Sequence, residues 1–281
     1  MIEGDRARYS IPMMCRILGV SRSGFYKWRR HVPSAQERTR AEALTAIRSV
    51  FEASKRTYGS PRVHRELRAQ GHMHSRRYVG QLMRRASLRA RAAKRYRARN
   101  VAPSRTTSIS NVLARRFDVE RINHVWASDF TCIRTAQGWL YLAVVMDLAS
   151  RRVIGWSMRG APDPDLVTQA LEMAIQQRTP QPGLLHHSDR GLQYCSKQYL
   201  DRLDSCGIRP SLSRVGNCWD NAVVESFFHT LKVERIRYRP QYRSAHEARQ
   251  DLFEYIEIWY NRQRRHSTIG YRSPADYEAS L

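Results

Sequence analysis

Asp129, Asp189 and Glu225 are the residues whose types and spacing can do chemistry in this 281-residue chain. Asp129 interrupts an apolar, β-prone run, VWASDFTCIRT. Asp189 follows a short apolar run directly, and thirty-five residues separate it from Glu225, which sits in a stretch of helical periodicity. Hard divalent cations prefer oxygen ligands. Two such ions roughly 3.5–4 Å apart stabilise both the attacking and the leaving oxygen of a phosphodiester displacement. Three carboxylates on a sheet-and-helix core are what a site for two Mg²⁺ ions needs, which makes the same three residues the candidate metal ligands. An acid buried mid-strand also needs compensation, and metal coordination supplies it.

The elements that must position these acids follow from periodicity. Val125 to Ile133 reads as a first strand, Thr135 to Gly138 as a turn, Trp139 to Asp147 as a second strand and Arg152 to Met158 as a third. Asp163 caps a helix that has Pro164 at its first position and runs to about Gln177. Leu184 to His187 is a fourth strand ending at Asp189, Ser196 to Cys206 a helix, and Ile208 to Leu212 a fifth strand. The order predicts an α/β, RNase H-like mixed sheet, three strands antiparallel and then two parallel, over residues 116–281. A helix from Asp220 to Val233 would bury Val223, Val224, Phe227, Phe228 and Leu231. Asn221, Glu225, His229 and Lys232 then share its other face, with His229 and Lys232 placed to meet phosphates. The alternative is an ordinary solvated face with i, i+4 pairing. Asp147 also follows an apolar strand, but DLASRR after it reads as a β-turn with Asp at its first position, a structural role.

Charge locates the partner. The net charge of +24 points to a polyanion, nucleic acid or an anionic membrane. Residues 1 to 117 hold 28 Lys and Arg against 6 acids, whereas residues 118 to 281 hold 21 against 19. The longest apolar run, Trp139 to Met146, is far too short to span a bilayer, which disfavours a membrane. Helices with a glycine turn between them in residues 1–35 suggest a helix-turn-helix-like segment, with Ser21 as N-cap of the basic one. Residues 40–88 make a second helical unit: Ala41 to Ser54, then Arg62 to Ala69 with Ser60 as N-cap, then Arg76 to Arg85 capped by Ser75. That last helix carries Arg76, Arg77, Arg84 and Arg85 outward, an arrangement suited to the major groove. From Leu67 to Phe117 there is no acid against 14 Lys and Arg, so DNA contact is expected there. Residues 89–115, including Lys94 and Arg95, read as a basic linker that lies along phosphates.

Five cysteines without paired spacing read as reduced cytosolic thiols. A zinc site from His186, His187 and nearby cysteines lacks ligand-pair spacing; these histidines and Ser188 instead position Asp189 or approach DNA. Asn217, Trp219 and Asn221 are placed to meet a phosphate or a splayed base, a core role for Trp219 standing equally. Ser244 to Asn261 is an amphipathic helix packing Ala248, Leu252, Tyr255, Ile256 and Trp259. Arg262, Arg264, Arg265 and His266 follow as a basic turn, with Arg265 and His266 expected on the DNA-facing side.

VWASDFT, GWLYLAVVMDLASRRVIGWSM, HHSDRGLQY, GNCWDNAVVESFFHTLKVE and YNRQRRHSTIGYRSPADYE, in this order, resemble the DDE transposases of bacterial insertion sequences. The likeness is to the downstream-frame (OrfB) product, whose core is related to retroviral integrase, and spans about Tyr58 to Glu278. It implies that Asp129, Asp189 and Glu225 form the catalytic triad. It also implies Mg²⁺ (or Mn²⁺) as cofactor, cleavage at element ends and strand transfer into target DNA. Terminal inverted repeats would be bound by the helical region. A homo-multimer on DNA, an upstream-frame (OrfA) helix-turn-helix partner and a cytoplasmic, nucleoid-associated location are implied as well. The zinc-binding module at the amino end of retroviral integrases has no counterpart, since Cys15 is the only cysteine before residue 100. Two other readings stay open: a catalytically inactive DNA-binding regulator, and a nuclease of the same fold that cuts without joining.

Overall fold

The computed structural model describes residues 2–91 and 108–281, the side chain of Cys218 excepted. Lys94 and Arg95 fall outside these residues. The sheet has the strand order β3-β2-β1-β4-β5. β1 (Val125–Thr135), β2 (Gly138–Asp147) and β3 (Val153–Arg159) form an antiparallel meander, and β4 (Leu185–Ser188) and β5 (Arg209–Leu212) add in parallel. This is the RNase H-like arrangement expected, with β1 at the centre. Gly138 closes the β1–β2 turn at φ +121°, a conformation that L side chains rarely adopt. α7 (Pro164–Arg178) and α8 (Lys197–Ser205) cover one face of the sheet, capped by Asp163 and Ser196. α9 (Ala222–Leu231) and α10 (Ala245–Phe253) cover the other.

The amino-terminal helices are α1 (Ile2–Asp5), α2 (Ile11–Ile17), α3 (Arg22–Arg29), α4 (Ala35–Ala53), α5 (Ser60–Ala69) and α6 (Arg76–Arg85). α4 starts six residues earlier than its apolar periodicity suggests, because Ser34 and Glu37 form a reciprocal capping box. Gly59, rather than Ser60, stands at the N-cap of α5, which has Pro61 in its first turn. α4, α5 and α6 share a continuous apolar core with the sheet: Ile47, Val63, Leu67, Val79 and Leu82 belong to the cluster that includes Leu142, Phe227 and Ile256. The chain closes in α11 (Pro274–Glu278), where Glu278 pairs with Arg152 and Arg178.

Two long helical predictions are broken by local rewinding. The Glu225 helix begins only at Ala222, after a 3-10 turn over Cys218–Asn221, and runs into a π turn over Lys232–Ile236. The helix from Ser244 changes to a π turn over Glu254–Tyr260. These wider turns bring Glu234 against Tyr255, Trp259 and Arg264, all of which donate to its carboxylate. Charge-assisted hydrogen bonds among buried groups outweigh the poorer π geometry.

β3 meets α7 at Gly155, where an added Cβ would lie 2.1 Å from the Ala170 carbonyl oxygen and 2.8 Å from the Ala174 nitrogen. Both are backbone atoms that cannot rotate away. Gly155→Ala is therefore expected to destabilise the protein by about 3 kcal/mol, read as a lowered urea midpoint. An unchanged midpoint would mean that α7 shifts without resistance.

Candidate active site

β1 brings Asp129 to the centre of the sheet, opposite Val144 of β2. Asp189 follows immediately on the end of β4, the parallel neighbour of β1. Glu225, in the first turn of α9, is exposed, whereas Asp129 and Asp189 are half-buried. The backbone N–H of Phe130 donates to Asp129 Oδ1 at 2.8 Å, and that of Gly191 donates to Asp189 Oδ1 at 2.8 Å.

The three carboxylates sense one another. Burial, then the charges of Asp189 and Glu225, push the Asp129 carboxyl well above its usual range. Burial also raises Asp189; partial desolvation, then the Asp189 charge, raises Glu225 even though its side chain reaches solvent. Lys232, exposed at the end of the same helix, acts on Asp129 in the opposite sense. Among the described residues no group of three or more His, Cys, Asp or Glu side chains is closed into metal-holding geometry. The acids are near enough to act on one another through charge. Oxygen donors carrying unrelieved negative charge in a partly dry setting fit a hard divalent cation.

What sets the start of α9 was not foreseen. Asp220 is fully buried, yet Arg115 and Arg214 donate to its Oδ1 and Asn111 Nδ2 donates to its Oδ2 at 2.7 Å. These hydrogen bonds, the Arg214 guanidinium first, hold its carboxyl far below the usual range. Beside it Asn221 is buried and donates to the Ser128 carbonyl at 3.0 Å, tying the helix start to the strand residue next to Asp129. Asn221 therefore turns inward instead of sharing the Glu225 face, because the 3-10 turn rotates it. The only sequence signal was an unpaired Asp before an apolar stripe. Trp219 is 67% exposed, so its core reading is excluded.

His186 and His187 are buried hydrogen-bond posts. His186 Nε2 lies 2.8 Å from Ser128 Oγ and 3.0 Å from Tyr199 Oη. His187 lies 2.9 Å from Ser211 Oγ and 3.2 Å from Ser213 Oγ. Burial pushes their pKa values down to about 3 and about 4, so both are neutral, and both side chains are buried away from the surface. Asp147 plays the structural role expected, accepting from the N–H groups of Asn123, Ala149 and Ser150.

The basic side chains divide. Arg76, Arg77, Arg84 and Arg85 are exposed on α6, His229 is half-buried and Lys232 exposed. Arg265 and His266 do not face outward. Arg265 pairs with Glu66 of α5 and donates to the Tyr271 carbonyl, while His266 is 8% exposed and packs edge-on against Tyr260 at 4.7 Å. The carboxy-terminal turn is the seam on which the helical unit docks, so neither side chain is a freely exposed cation as the sequence suggested.

The integrase core domain family matches residues 119–218, a second integrase core family residues 206–274, and an HTH-like domain residues 37–96. Transposase InsF for insertion sequence IS3A of Escherichia coli (strain K12) is 43% identical across 99% of this chain and 96% of its own. The chain belongs to the IS3-type insertion-sequence transposases. An insertion element IS600 protein of Shigella sonnei is 37% identical to this transposase over 94% of the chain and 97% of its own. Among solved structures, the simian T-cell lymphotropic virus intasome is similar at 16% identity and a TM-score of 0.48, covering 75% of this transposase and 69% of the viral chain. The HTLV-2 integrase catalytic core is similar at 17% identity and a TM-score of 0.41, over 55% and 95%. The transposase is a polynucleotidyl transferase by family, and among the described residues no helix is long and apolar enough to cross a membrane.

The raised carboxyls have a stability consequence. A carboxylate whose folded pKa lies above its unfolded value weakens the fold at neutral pH, and the penalty fades as pH falls through the folded pKa. At pH 7 without divalent ions, Asp129→Asn is expected to raise the urea midpoint, and the difference from wild type should shrink on acidification. A lower midpoint for the variant would show that the ionised carboxylate stabilises the fold.

Proposed function

We propose that Asp129, Asp189 and Glu225 are the catalytic carboxylates of this transposase and hold two Mg²⁺ ions, for which Mn²⁺ substitutes. The observation that carries the reading is the mutual charge coupling of these acids at adjoining strands and the facing helix, in a chain of this family. The bound ions would supply activation of the attacking oxygen and stabilisation of the leaving one. The protein's own part is placement. Asp220 and Asn221 hold the start of α9 so that Glu225 stands beside the sheet, and Lys232 and His229 present cationic or hydrogen-bonding groups to the scissile strand.

The reaction we propose is cleavage at the element ends, then strand transfer into target DNA, without a covalent protein intermediate. The division of the chain follows: residues 1–35 a helix-turn-helix-like segment, 40–88 the unit that grips terminal inverted repeats through Arg76, Arg77, Arg84 and Arg85, 89–115 a basic linker with Lys94 and Arg95, and 116–281 the catalytic core. Four exposed arginines on one helix, none with a carboxylate within 4 Å among the described residues, support the α6 assignment. Two ends must be held together, so a homo-multimer on DNA is proposed, with an upstream-frame partner and a cytoplasmic, nucleoid-associated location.

Asp129→Asn, Asp189→Asn and Glu225→Gln are each expected to lower cleavage and joining by about a thousandfold or more while end binding persists. The assay is a purified-protein reaction on flanking-end DNA with Mg²⁺. Activity retained in one variant removes that residue from the triad, and products that are cut but never joined favour a nuclease. Replacing Arg76 and Arg77 together by Gln should weaken binding on all sequences and flatten the salt slope by about 0.9 per lost phosphate contact. An unchanged slope would place the main phosphate grip elsewhere.

A further inference from the structure

A second cationic site lies on the opposite flank of the Glu225 helix. At 100° per residue, Ser226 and Thr230 of α9 face one way and Glu225 another, with the apolar stripe between them on the core side. Ser226 and Thr230 line a cavity of about 330 Å³ together with Arg62 of α5, Arg151 from the turn after β2, and Arg264 and His266 from the carboxy-terminal turn. Arg264 and His266 are 5% and 8% exposed, and Arg62 and Arg151 are half-buried.

The charges do not balance. Arg264 is paired with Glu234, whose oxygens also accept from Tyr255 and Trp259. Neither Arg62 nor Arg151 has a carboxylate within 4 Å among the described residues. Arg62 Nε donates to the Arg265 carbonyl, and Arg151 Nη2 to the Phe117 carbonyl. Arg151 Nη1 is buried with no partner. The groups feel one another: burial first, then Arg264, lowers the Arg62 pKa, while burial, then Arg264, Arg62 and Arg151, pushes His266 well below its usual value. Asp118 and Asp147 act on Arg151 and Glu234 on Arg62 from beyond 4 Å, so the buried positive charge is only partly offset. Such charge is unfavourable unless a counterion arrives. The donors on offer, guanidinium N–H and hydroxyl groups around one hollow, match the oxygens of a phosphate.

We propose that this cavity is an anion site that binds a phosphate group, joining the helical unit, the sheet and the Glu225 helix around one ligand. It stands apart from the candidate metal site and does not depend on that assignment. A backbone phosphate of bound DNA and free phosphate share the required chemistry. Either would tie α5 to α9, so that occupancy stiffens the helix carrying Glu225.

The test is isothermal titration of inorganic phosphate into the full chain at constant ionic strength, with chloride as control, for wild type, Arg151→Gln and Thr230→Val. The second variant keeps every arginine and covers the case in which Arg151→Gln fails to fold. Saturable binding by wild type, weakened about tenfold or more in Arg151→Gln and less in Thr230→Val, is the expected result. No saturable heat above the chloride control, or equal affinity in all three proteins, would overturn the site. Repeating the titration on the complex with a DNA duplex separates the sources. Loss of phosphate binding there identifies the occupant as a DNA phosphate, and retained binding identifies free phosphate.

Discussion

Three like charges gathered where the middle of β1 meets the end of β4 repel, and nothing in their own side chains holds them together. Asp129 and Asp189 are carried by neighbouring parallel strands, whose backbone hydrogen bonds leave little freedom. Glu225 stands on a separate helix, and it is this third acid that repulsion would drive away. The restraint comes from Asp220, a fully buried carboxylate gripped by Arg115, Arg214 and Asn111, and from Asn221 bonded to the backbone beside Asp129. Breaking one partner of a buried ion pair is far more damaging than its net contribution suggests, because the other charge is left stranded. The clamp thus uses one set of charges to hold another in place.

The same logic operates at the far side of α9. Glu234 is buried among Arg264, Tyr255 and Trp259, a network made possible by two π turns that swing these residues together. Arg265 reaches from the adjoining turn to Glu66 of α5, and Tyr58 Oη accepts from the Arg265 backbone. The helical unit is consequently packed on the catalytic fold through both charge and a shared apolar cluster. The exposed arginines of α6 are thereby carried on a unit continuous with the sheet, so the proposed DNA grip and the carboxylates would keep a defined orientation.

The sequence by itself determined the fold class, the order of the elements and the candidate acids. Apolar, β-rich runs mark β1 to β3, a Ser or Asp stands before most helices, and each of these signals is local, carried by residues within one turn or one strand. The family strings added the likeness that full-length relatives bear out. Tertiary structure decided the rest. Whether Asn221 shares the Glu225 face depends on a 3-10 turn, and whether Arg265 and His266 meet DNA depends on Glu66 and Tyr260, residues distant in the chain. A basic residue looks the same in sequence whether its partner is a phosphate or a carboxylate on another helix. Only packing, which sets distance and removes water, chooses between them.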